Sequence, residues 1–117
     1  MKLTLLLDPS YIPADNDYYG LSESSDEVEE NWQPNCDISV FWHAIAPLVD
    51  SLDDSCGAML DIGDVEFIEW SRCPDLAAWA KDQLGRRPGE PLEGFCAKLY
   101  EYATRACELK TGVNVEL

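Results

Sequence analysis

Bases are almost missing from the first three-fifths of this chain. Residues 1–71 hold Lys2 alone against sixteen Asp and Glu, a balance of −15, while residues 72–117 hold seven charges of each sign and sum to zero. A field of that sign repels DNA, RNA and anionic membrane and draws in basic surfaces at rates that fall with salt. Nucleic acid is therefore not expected as a direct ligand. Long hydrophobic runs are missing too. The longest near the start, Leu3 to Leu7, contains Thr4 and stops at Asp8-Pro9, too short for a signal-peptide core. No stretch reaches the roughly 20 apolar residues of a membrane helix. These absences lead to the expectation of a cytoplasmic protein that meets no membrane.

Catalytic pairings are equally scarce. The one histidine, His43, has Ser39, Val40, Ala46 and Pro47 three and four residues away, and none of these can relay a proton. No serine or cysteine stands in a motif such as G-x-S-x-G that would set a nucleophile beside a base. The turn Gly85-Arg86-Arg87-Pro88-Gly89 lacks the Lys-Ser/Thr that completes a phosphate loop. Carboxylate pairs such as Asp53-Asp54, Glu29-Glu30 and Asp26-Glu27 are too abundant for any one to carry a signal. The five cysteines (Cys36, Cys56, Cys73, Cys96, Cys107) are odd in number, widely spaced and never C-x-x-C, against a disulfide framework or a zinc site. Free, mostly buried thiols, no cofactor and no enzymatic activity are the resulting expectations.

What is present suffices for one domain over residues 1–117: 117 residues, 46% of them hydrophobic, can build a single core. Lys2 to Leu7 reads as a strand interior to a sheet, since few of its positions are polar. Residues 8–35 turn to Pro, Asn, Asp, Ser and Glu and read as a long acidic loop or short-helix region, a length unusual in a compact domain unless the segment is functional or partly disordered. Asp37 to Asp54 places Phe41, Ile45, Leu48, Val49 and Leu52 at helical spacing behind an Asp37 or Ser39 cap, with a break expected at Pro47. Ala58 to Ile62 and Val65 to Trp70 around Gly63-Asp64 suggest a hairpin with a glycine-first turn. A helix starting at Pro74 runs to Gly85. Leu92 to Leu109 forms the strongest helix, with Phe95, Cys96, Leu99, Tyr102, Ala103 and Ala106 on one face, Lys110 in its last turn and Gly112 beyond its end. Val113 to Leu117 closes a sheet as the last strand. The fold class is α+β, a small mixed or antiparallel sheet of about four strands with three helices packed on it.

Within residues 8–35, acids and aromatics interleave: Asp15, Asp17, Tyr18, Tyr19, Glu23, Asp26, Glu27, Glu29, Glu30 and Trp32. Aromatics supply rigid contact area, and carboxylates accept paired hydrogen bonds from arginine, so these residues form the candidate partner-binding site. Asp15, Asp17, Gly20 and Asp26 also fall at the first, third, sixth and twelfth places of a calcium loop. Tyr19 stands at the fifth-place ligand, however, Asp26 is shorter than the usual Glu, and no helices flank the loop, so no metal is expected there.

Small size, an acidic surface with aromatics and no catalytic motif resemble the bacterial immunity proteins made against nuclease toxins, including those of contact-dependent growth inhibition. The resemblance is one of type, resting on the charge of the chain and on Asp15 to Trp32, and no family residue transfers to it. It implies tight capture of a basic toxin domain. A phage-encoded nucleic-acid mimic directed at a DNA-binding or CRISPR effector protein is the alternative, with a small enzyme of unknown type third. Neutrality of residues 72–117 favours a localised interface over a mimic's elongated charge.

Overall fold

The computed structural model describes residues 1–12 and 27–117. Four strands form one antiparallel sheet: β1 (Lys2–Leu6), β2 (Glu29–Trp32), β3 (Val65–Glu69) and β4 (Gly112–Glu116), in the order β2-β1-β4-β3. β1 and β4 are interior, which explains why β1 is apolar on both faces. Alternation sends Leu3, Leu5, Val113, Val115 and Ile68 to the face covered by helices. Thr4, Leu6, Asn114 and Phe67 go to the other face, where Leu6 and Phe67 cluster with Ile12 and Val28.

The helical layer holds α1 (Ile38–Ile45), α2 (Val49–Cys56), α3 (Cys73–Gly85) and α4 (Leu92–Leu109). The sequence predicts one helix over 37–54 with a break at Pro47, and the break is there. A 3-10 turn at Ala46–Leu48 separates α1 from α2, because proline cannot donate the bond that would continue the helix. Asp37 is the cap of α1, its carboxylate accepting from the Ser39 backbone N–H at 2.9 Å. α4 keeps the bounds that its periodicity predicts, and α3 begins one residue earlier than expected, at Cys73. α4 ends at Lys110, which takes the left-handed conformation at φ 56°. Gly112 is therefore not the helix terminator that the spacing suggested. It is the first residue of β4, and a Cβ there would lie 2.4 Å from Phe67 Cζ and 2.7 Å from the Ile68 carbonyl oxygen. Only a glycine lets the Phe67 ring and the neighbouring strand come so close.

Indole hydrogen bonds tie the layers together. Trp42 donates to the Leu117 carbonyl, and Trp79 donates to Ser51 Oγ at 3.0 Å, linking α3 to α2.

Two expectations are corrected. Ala58 to Ile62 is not a strand, and it forms no hairpin with β3. Its backbone donors are taken by side chains: Asp53 Oδ1 accepts from Leu60 N–H and Glu66 Oε1 from Met59 N–H, both at 2.9 Å. The turn is Asp61 to Asp64, closed by a 3.0 Å bond, with Ile62 and Gly63 as its central pair, so that Gly63 comes second rather than first, at φ 91°. The fourth strand is instead β2, inside the stretch read as loop.

Candidate partner-binding surfaces

β2 determines what becomes of the acidic and aromatic residues at its end of the sheet. A strand sends adjacent side chains to opposite faces, so Glu29 and Glu30 part company. Glu29 is buried at 4% exposure. Glu30, opposite Leu5, reaches α4, where Arg105 donates to it from Nη1 at 2.8 Å and Nη2 at 3.3 Å. That hydrogen bonding holds the Glu30 carboxyl below the ordinary glutamate range against the opposing effect of burial. Tyr102 sits beside the pair, its phenol pushed upward by burial and then by the Glu30 charge. Trp32 is half-buried, its ring centroid 6.4 Å from that of Phe95, which in turn meets Phe41 edge-on at 5.2 Å.

Of the candidate site residues, Glu27 is exposed just before the strand. Asp15, Asp17, Tyr18, Tyr19, Glu23 and Asp26 lie outside the described residues, as does Gly20 of the calcium-like spacing. The expectation that Glu29 and Glu30 face a partner together is corrected. One is buried, and the other is already paired with a base from the neutral half of the chain.

Beyond Trp32 the chain turns through Pro34, Asn35 and Cys36 into α1. A groove of about 470 Å³ opens there, lined among the described residues by Trp32, Pro34, Asn35, Cys36, Val40, Glu90 and Pro91. A shallower hollow beside it shares Pro34 and Cys36. Sequence reasoning reached Trp32 and none of the others. Glu90 and Pro91 come from the turn before α4, and no spacing links them to Trp32.

A second surface lies on α2 and the loop after it. Asp50, Asp54, Asp61 and Asp64 are exposed, and none takes part in an ion pair among the described residues. In the loop after α2 Met59 is 85% exposed. Asp53 feels this crowding: burial raises its carboxyl above the ordinary aspartate range, and the charges of Glu66, Asp50 and Asp54 push the same way. Glu66 and Glu69 are neutralised by Arg72, at 3.0 Å and 2.8 Å.

Cys73 and Cys96 are pushed up to about 12 and about 11 by burial, which makes poor nucleophiles of both. Cys36 is the exposed one. His43 is exposed on α1. Among the described residues no helix is long and apolar enough to cross a membrane, and no three His, Cys, Asp or Glu side chains converge as a metal site. No protein family, curated protein or solved structure matches the chain.

Proposed function

We propose that this chain is an acidic binding protein that captures and neutralises a basic protein, in the manner of a cytoplasmic immunity protein against a nuclease toxin domain. One observation carries the reading: four exposed aspartates, Asp50, Asp54, Asp61 and Asp64, on α2 and the loop after it, take part in no ion pair among the described residues, and Met59 of that loop is exposed. Unscreened like charges repel one another, and a basic partner converts that repulsion into attraction. Met59 adds an apolar, adaptable contact, a side chain favoured at interfaces. A nuclease must carry positive charge to hold its nucleic acid, so an acidic inhibitor exploits the same field for rapid capture.

The test is co-expression with candidate nuclease toxin domains drawn from the neighbouring genes, together with surface plasmon resonance of the purified pair at several salt concentrations. Protection of the cells and a stable complex are expected. Replacing the four aspartates by Asn is expected to slow association by about tenfold or more and to flatten its salt dependence. Failure to protect, with no complex at low salt, overturns the proposal.

A further inference from the structure

We infer that the groove beneath Trp32 seats an arginine side chain of the basic partner, an inference that rests on the function proposed above. Its walls are apolar and stiff. Trp32 is backed by the fully buried Phe95, and Pro34 and Pro91 have little freedom to rearrange. At about 470 Å³ it falls in the size range of built ligand sites. Its ionisable lining supplies the sign. Among the described residues Glu90 is the one carboxylate lining the groove, and none of the eight Lys and Arg lines it.

Glu90 is exposed in the turn before α4. Its carboxylate lies over Gly94 in the first turn of α4, where a Cβ would come within 3.1 Å of Oε2. It takes part in no ion pair among the described residues. An indole and a carboxylate around an apolar slot are complementary to a guanidinium. Its planar cation stacks on tryptophan better than on other rings, its fork bonds a carboxylate through two N–H groups, and its aliphatic stem is content against proline and valine. Lysine offers a point charge and no plane, so it fits less well. The groove gives the interface a central anchor, distinct from the aspartates of α2, which act at long range.

The experiment titrates the full chain with an acetylated Gly-Arg-Gly-Arg-Gly peptide at millimolar concentration, following the Trp32 indole N–H by NMR. The same peptide with citrulline in place of arginine is the control. Arginine peptide is expected to shift the Trp32 signal, and citrulline peptide to leave it unmoved. Glu90→Gln should weaken binding at least fivefold. Val40→Lys, at a position 51% exposed and so safe for folding, should abolish it by placing a cation in the groove. Substituting Asp50, Asp54, Asp61 and Asp64 by Asn should leave the Trp32 shift in place. An unmoved Trp32 signal, or equal binding by Glu90→Gln, overturns the inference. A nuclease complex unaffected by Glu90→Gln and Val40→Lys defeats the groove alone and leaves the proposed function standing. Arginine-peptide binding without any nuclease complex defeats the function alone.

Discussion

Replacing Arg72 by Met tests how the acidic half of the molecule is held together. The Arg72 side chain, about a quarter exposed, donates from Nη1 to the Gly57 carbonyl at 3.2 Å and to Glu66 Oε2 at 3.0 Å, and from Nη2 to the Phe67 carbonyl at 3.0 Å. Nη2 also pairs with Glu69 Oε2 at 2.8 Å. One guanidinium thus caps the C-terminal end of α2, clamps the backbone of β3 and neutralises two acids. Burial alone would favour the neutral guanidine, but the bonds and charges of Glu69 and Glu66 outweigh it and raise the group above its ordinary value. Methionine keeps the stem's packing and removes every donor. Hydrogen bonds to charged groups are worth about 1.5–3 kcal/mol each, and water re-solvates part of what is lost at this exposure, so we expect a destabilisation of about 2–4 kcal/mol. In urea the midpoint should fall by roughly 1–2 M with the slope unchanged. Arg72→Lys should recover no more than about half, because an ammonium cannot reach the Gly57 carbonyl, the Phe67 carbonyl and both acids at once. A loss below about 0.5 kcal/mol, ordinary for a surface substitution, would refute the clamp.

Two further outcomes follow from particular contacts. Gly112→Ala should destabilise the chain by about 1–3 kcal/mol in the same urea assay, through the approach of its Cβ to Phe67 and the Ile68 carbonyl; a stabilised variant, as intrinsic propensity alone would favour, would contradict that packing, and Phe67→Leu should relieve only the part due to the ring. Glu30 is held below the ordinary glutamate range, first by its bond from Arg105. Its contribution to stability is therefore complete above that range and disappears as pH falls through the lowered value. With 37% and 41% of the two side chains exposed, solvent screens the pair to roughly 0.2–1 kcal/mol. Unfolding from neutral pH down to about pH 3 should show that Glu30→Gln has a shallower acid loss than the parent, and identical acid profiles would refute it.

Local chemistry by itself determined the helices and the first strand. The α4 bounds follow from a 3.6-residue apolar stripe, the α1–α2 break from the missing N–H of Pro47, and β1 from an apolar run too short for a helix. It also determined the acidity of residues 1–71. Tertiary structure decided the rest, because the deciding contacts join residues far apart in the chain. Glu29–Trp32 has neither the propensity nor the alternation of a strand and becomes one by pairing with β1. Ala58 to Ile62 has the composition of a strand and is denied it, since Asp53 and Glu66 take the donors a partner strand would need. β3 then pairs with β4 across the length of α3 and α4. Charge behaves in the same way. Counting along the chain separates an acidic half from a neutral one, but the fold carries Arg105 across the sequence to Glu30, while Arg72 pairs with its near neighbours Glu66 and Glu69 and the aspartates of α2 and its loop take part in no ion pair among the described residues. The groove that joins Trp32 to Glu90 exists only where β2, the approach to α1 and the turn before α4 meet, a convergence that no one-dimensional spacing encodes.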